Sequence, residues 1–155
     1  MNVQNGVSLL VVSKYAPLPA YGANPRWYHL ALRIKGSGSE VEIITSDSNH
    51  GSSMPAATEP FSVVSLNDIR YNVIRTFKYR RSSSIARVIS WFDFDFKLFC
   101  HCRHMAPDVV VISSLSLTSI IFGIYLKARH GSRLVFEVRD IWPLTMIEEG
   151  GFIRW

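Results

Sequence analysis

Two stretches of this chain, Val7 to Ser13 and Val109 to Ser113, are short, β-branched and almost wholly apolar. A strand that is apolar on both sides must be covered on both faces, which is the condition of a central strand in a parallel sheet. Parallel strands need crossover connections, and helical patterns do stand between the strand candidates along the chain. The expected fold class is therefore α/β, with a Rossmann-like parallel sheet and helices on both of its faces.

After the first run comes a loop, Lys14 to Asn24, containing Pro17, Pro19 and Gly22. From Pro25 the pattern is helical, with Trp27, Leu30, Ala31 and Ile34 on one face and Gly36 and Gly38 as the stop. Val41 to Ser46 is the second strand. Strand, glycine-containing loop, helix and strand is the opening of a nucleotide-binding type of fold. The dinucleotide fingerprint Gly-x-Gly-x-x-Gly is absent, because Gly22 stands alone in its loop, and this argues against a dinucleotide enzyme. Gly22 gains meaning only from its place, between a central strand and a helix amino terminus that favours an anion.

Asp47 to Pro60 is rich in Ser, Gly, Pro and Asn and reads as a loop leaving the carboxyl end of strand two. It carries Asn49 and His50. His50 is either a solvated surface histidine or a member of a site on the same rim as Gly22. Phe61 to Leu66 and Asn72 to Phe77 read as short strands, followed by Lys78-Tyr79-Arg80-Arg81 and a serine cap at Ser82 to Ser84. A helix is expected from Ile85 to His104 with two apolar stripes. One, containing Ile85, Val88, Ile89, Phe92, Phe96 and Phe99, is expected to face the sheet. The other holds Trp91, Phe94, Leu98 and Cys102. With Arg80, Arg81 and Arg87 near its start, it suits either an anionic membrane surface or a covering helix or domain. Lys97 and Asp93 are spaced as a helical ion pair.

Pro107-Asp108 breaks the chain before the second pure apolar run, whose end carries Ser113 and Ser114. A helix from Leu117 to His130 ends at Gly131, and Arg133 to Val138 is the next strand. Phe136-Glu137-Val138-Arg139-Asp140-Ile141-Trp142-Pro143 then passes abruptly from apolar to charged residues. This reads as a buried strand delivering polar groups to its carboxyl edge, where α/β sheets bind ligands, with Pro143 preset for a helix. Glu137 and Arg139 alternate to one side, and a structural ion pair between them is the plainer alternative to a site.

The 155 residues are 48% hydrophobic and 19% charged, which suits one globular domain and excludes a disordered chain. A net charge of +5 calls for an anionic partner without choosing among nucleic acid, phosphorylated metabolite and membrane. Cys100 and Cys102 are too close for a disulfide framework and point to different helix faces, against zinc and in favour of a reducing, cytoplasmic setting. No secretion signal is expected at the amino terminus, and the polar cluster Ser113 to Ser119 breaks the longest uncharged run, Val109 to Leu126.

Several of these segments together resemble the amino-terminal domains of family 4 glycosyltransferases, which have the two-domain GT-B architecture. The likeness extends to the N-acetyl-fucosamine transferases of bacterial O-antigen and capsule assembly. It rests on Tyr15-Ala16-Pro17 through Gly22 to Arg26-Trp27, on Thr45 to His50, on Pro107-Asp108-Val109-Val110-Val111 with Ser113-Ser114, and most specifically on Glu137 to Pro143. The family often has two glycines where this chain has Gly22-Ala23.

The resemblance implies that residues 1–155 form a single Rossmann-like acceptor-side domain. The carboxy-terminal domain that grips the nucleotide sugar would be a separate partner, and this piece is expected to be inactive alone. It implies a retaining transfer with a nucleotide-sugar donor, a lipid-linked sugar acceptor, no cofactor, no metal and no nucleic acid, at the cytoplasmic face of the inner membrane. Asp140 or His50 would orient or deprotonate the acceptor hydroxyl. Gly22, Arg26, Asn49, Ser114, Glu137, Arg139 and Trp142 would bind substrate. The alternative is a non-catalytic Rossmann-like binding module or a membrane-associated one, resting on the membrane through the helix near 85–104.

Overall fold

The computed structural model describes residues 6–21, 25–48, 53–79, 85–114 and 118–138. Among these residues six strands form one sheet: β1 (Ser8–Val12), β2 (Glu40–Ser46), β3 (Phe61–Leu66), β4 (Ile69–Ile74), β5 (Val109–Ser114) and β6 (Arg133–Val138). Their order is β3-β4-β2-β1-β5-β6. All neighbours are parallel except β3, which folds back on β4 as an antiparallel hairpin. The chain is a Rossmann-like α/β fold, as the alternation of apolar runs and helical patterns requires.

Alternate residues of the central strands feed two separate cores. Leu10, Val12, Ile44, Val110 and Ile112 lie in the core beneath helices α2 (Ile85–Cys102) and α3 (Ser119–His130). Val11, Val41, Ile43 and Val111 lie in the core beneath helix α1 (Arg26–Lys35). The connection from β1 to β2 thus runs over one face, and those from β4 to β5 and β5 to β6 run over the other. The direction of winding reverses between β1 and β5, so a crevice opens outside their carboxyl ends.

Two strand assignments shift for local reasons. The expected strand Asn72 to Phe77 is Ile69–Ile74, because Asn67 and Asp68 both adopt positive φ, at 49° and 58°. With Leu66 facing Ile69, these two residues are the two-residue hairpin loop that tolerates left-handed backbone, and the strand begins directly after them. Strand β6 is not the buried strand expected. It lies at the edge of the described sheet, with Val135 and Val138 exposed and Leu134 and Phe136 partly buried against α3's core. On α1, Trp27 and Ala31 are buried as expected, whereas Leu30 turns outward.

The largest correction concerns α2. The stripe expected to face the sheet is outward: Ile85, Val88, Ile89, Phe92 and Phe96 are all exposed, and only Phe99 packs inward, against Phe122 and Tyr125. The sheet instead receives Phe94, Leu98 and Cys102, each fully buried. Cys102 is a core residue, its thiol pushed up to about 12 by burial, while Cys100 on the far side is exposed. Lys97 and Asp93 do form the helical ion pair, at 2.8 Å. Among the described residues no helix is long and apolar enough to cross a membrane.

The amino ends of β1 and β5 are tied by a reciprocal contact. Ser8 donates from its amide and hydroxyl to the Asp108 carboxylate, at 2.8 and 2.7 Å, and the Asp108 amide donates back to the Ser8 hydroxyl at 2.9 Å. These bonds hold the Asp108 carboxyl below its ordinary range. On the α3 side, close approach of helix to sheet depends on Gly123. A Cβ there would stand 2.5 Å from Leu134 Cδ1 and 2.8 Å from Ile112 Cγ1. Alanine at this point gains about 1 kcal/mol of helix propensity, but overpacking costs about 1–3 kcal/mol. Gly123→Ala is therefore expected to lower stability by about 1 kcal/mol in urea unfolding, against the usual sign for glycine in a helix.

Candidate functional site

Most of the buried polar side chains gather at the carboxyl ends of the strands. Ser13 and Lys14 follow β1, Ser46, Asp47 and Ser48 close β2, Thr76 follows β4 and Ser113 closes β5, all of them buried. Burying so many polar groups is tolerated only if they bond to one another.

Lys14 is the most costly of them. It is 5% exposed, although lysine is rarely buried at all. Its ammonium donates to the Ser90 hydroxyl at 2.8 Å and lies over the rings of Tyr15 and Phe94, with centroids at 5.6 and 5.5 Å. Burial pulls its pKa down to about 7, against the opposing pull of Asp95, Asp93 and Asp47. Burial thus leaves a lysine of lowered basicity at the carboxyl end of the strand where the winding reverses.

The carboxylates around it are each organised by neighbours. Asp47 accepts the Ala57 amide and the Thr76 amide, both at 2.9 Å, and an ion pair from Lys78 at 2.8 Å, so it binds the start of the 47–60 loop to the end of β4. Asp95, on the inward side of α2, accepts from the hydroxyls of Thr118 and Ser119 and so joins α2 to the first turn of α3. The Tyr15 hydroxyl accepts the Trp91 indole N–H at 2.8 Å and bonds the Tyr79 hydroxyl at 3.2 Å.

On the opposite face of the same rim, α1 begins. Its first turn contains no acidic residue, and among the described residues no side chain caps it. Arg26 forms an ion pair with Glu137 of β6, 111 residues away, and its guanidinium lies 4.9 Å from the centroid of the Trp27 ring. Ser113 is the register neighbour of Glu137 across β5 and β6. The Ser113 hydroxyl and the Trp27 indole N–H are both buried with no hydrogen-bond partner among the described residues.

Two of the expected site residues, Arg26 and Glu137, are therefore brought together although nothing in the local sequence links them. Glu137 pairs with Arg26, and the pairing with Arg139 that the sequence offered falls on a residue outside the described ones. Ser114 ends β5 on the same rim, in register with Val138. Gly22, Asn49, His50, Arg139, Asp140 and Trp142 lie outside the described residues. So do Arg80, Arg81, the serine cap and the helix expected from Pro143. Lys14, Asp47 and Asp95 were not singled out from sequence. A lysine placed directly after an apolar central strand, and an aspartate between Phe94 and Phe96, were the signals available.

A cavity of about 390 Å³ lies elsewhere, lined by Ser8, Glu42, Arg70, Asn72 and His101 at the amino ends of β1 and β2 and under the last turn of α2. Its Glu42 is already engaged by Arg70 at 3.0 Å and Asn72 at 2.9 Å, and it has no part in the rim. No group of three or more His, Cys, Asp or Glu side chains among the described residues is arranged to hold a metal ion. Comparison of the chain with protein-family models, with curated proteins and with solved structures gives no match.

The burial of Lys14 has a signed consequence for stability. Its folded pKa lies below the unfolded value of 10.5, so between about 7 and 10.5 the unfolded chain binds more protons. Stability from this group therefore rises with pH across that window and is level below it. Relative to Lys14→Met, the wild-type chain should gain up to about 1.4 kcal/mol per pH unit above neutrality in urea unfolding, and nothing between pH 5.5 and about 6.5. A difference independent of pH would mean that the ammonium is not desolvated.

Proposed function

We propose that this chain is the acceptor-side domain of a retaining glycosyltransferase. It would hold a lipid-linked sugar acceptor while a second domain presents the nucleotide sugar, in the synthesis of a bacterial surface polysaccharide. The single observation that carries the reading is the amino end of α1, with no acidic residue in its first turn and no side-chain cap among the described residues, opening beside the crevice between β1 and β5 with Arg26 at its first position. Helix amino termini present unpaired N–H groups and a partial positive charge, and suit a diphosphate. The Arg26 contact with Glu137 holds the guanidinium at this edge, and a guanidinium has five donors, so one carboxylate does not exhaust it. The likeness of Glu137 to Pro143 to the family's segment points the same way.

In this reading the bond between the donor's anomeric carbon and its diphosphate breaks, and a bond forms from that carbon to the acceptor hydroxyl oxygen. The hydroxyl proton passes to a base, assigned to Asp140 or His50. Charge developing on the leaving diphosphate is met by backbone amides and basic side chains, with no metal and no cofactor beyond the donor sugar nucleotide. Asn49, Arg139, Trp142, Ser114 and the Gly22 loop are assigned to substrate binding. Nucleic acid is not a partner in this reading, and the chain works at the cytoplasmic face of the membrane.

Calorimetric titration of the chain with a short-chain lipid diphosphate sugar tests the acceptor role. Binding is expected, with Kd raised about tenfold in Arg26→Ala, the equivalent of about 1.4 kcal/mol. A flat titration, or a Kd indifferent to Arg26, overturns it.

A further inference from the structure

Among the described residues, the outward side of the α2–α3 layer is apolar and exposed. Ile85, Phe92 and Phe96 are 80, 59 and 69% exposed, and Ile89 is half exposed. At about 100° per residue these four fall on one line along the helix, opposite the buried Phe94, Leu98 and Cys102. α3 lies alongside, joined to α2 through Phe99 and Phe122, and it adds Ile121 and Ile124, each more than half exposed. Single exposed apolar residues are ordinary, but a two-helix row of aliphatic and aromatic side chains is not.

The charges of the layer select among occupants. Its two acids are engaged within the protein: Asp95 with Thr118 and Ser119, Asp93 with Lys97 and with the amide of Phe77. Its cations Arg103, Lys127 and Arg129 are exposed. The exposed acids among the described residues are Glu40 and Asp68 on the side of β2 and the hairpin, Asp108, which is bonded to Ser8, and Glu59 before β3. A protein surface matching this face would need an apolar groove with an acidic border. A bilayer containing anionic lipid offers both features at once, an acyl region for the row and a negative headgroup plane for the cations.

We propose that the outer face of α2 and α3 rests on an anionic membrane surface, with Ile85, Ile89, Phe92, Phe96, Ile121 and Ile124 entering the headgroup boundary and Arg103 and Lys127 meeting the lipid phosphates. The contact lies on the stripe opposite to the one that the sequence suggested. It does not rest on the sugar-transfer reading, and vesicle binding and acceptor titration fail separately.

The full chain is mixed with vesicles of phosphatidylcholine alone or with about one third phosphatidylglycerol, then floated on a gradient. Flotation is expected with the anionic vesicles, weakened about tenfold in Phe92→Ser/Phe96→Ser and again in Arg103→Glu/Lys127→Glu. All four positions are exposed, so circular dichroism melts should match wild type. If the phenylalanine variant nevertheless melts early, Ile121→Ser/Ile124→Ser replaces it with the same expected loss. No flotation with anionic vesicles, or flotation untouched by these variants, overturns the proposal. So does a concentration-dependent dimer abolished by Phe92→Ser/Phe96→Ser, which would assign the face to a second copy.

Discussion

The fold depends on covering β1 on both faces. Leu9 to Val12 alternate between two cores, and neither α1 nor α2 and α3 alone could take both Leu10 and Val11 out of water. Because each crossover is right-handed, helices can occupy both sides only if one connection steps to one side of β1 and the next to the other. The crevice between β1 and β5 is the geometric residue of that reversal rather than a separately designed feature. The amino end of α1 and the carboxyl ends of β1 and β5 converge there for the same reason.

The rim that results is polar in an unusual way, since its groups are buried instead of solvated. Lys14 needs Ser90 and two aromatic faces, Asp47 needs two amides and Lys78, and Asp95 needs the first turn of α3. Removing one partner would leave a desolvated polar group, which costs more than the bond itself is worth. Such a network fixes where each strand end lies, and it gives the loops beyond the strands a rigid base. It also places a lysine of lowered basicity next to the crevice, a property that an exposed lysine could not have.

The parallel core was legible because Val109 to Ser113 has no alternative reading, and the crossover pattern followed from strand and helix periods. The hairpin start was not, since Asn67-Asp68 lacks the glycine that usually marks a two-residue turn, and Arg70 obscures the apolar alternation of β4. The meeting of Arg26 with Glu137 was also hidden. Both were named as site residues, but their pairing follows only from α1 and β6 sharing one side of the sheet, which is a matter of topology. Lys14 escaped because a lysine after a strand normally reads as the first solvated residue.

The inverted face of α2 carries the most general lesson, because hydrophobic periodicity gave the helix two stripes and no means of ranking them. Polar residues decide the rotation. Ser90 and Asp95 share the inward side with Phe94 and Leu98, and each has its partner there, Lys14 from β1 and Ser119 from α3. On the flank, Asp93 takes the amide of Phe77 and Lys97 reaches the carbonyl of Arg75, both just beyond β4. Turning Phe92 and Phe96 toward the sheet would carry Ser90 and Asp95 to the outer side, leaving the buried Lys14 ammonium without its acceptor and the Ser119 hydroxyl without the Asp95 carboxylate. An unpaired buried charge outweighs the gain from an aromatic ring, so the apolar row is left on the surface. Its exposure is therefore a consequence of how the rim is held together, and the proposed membrane contact would use the row that this compromise leaves outside.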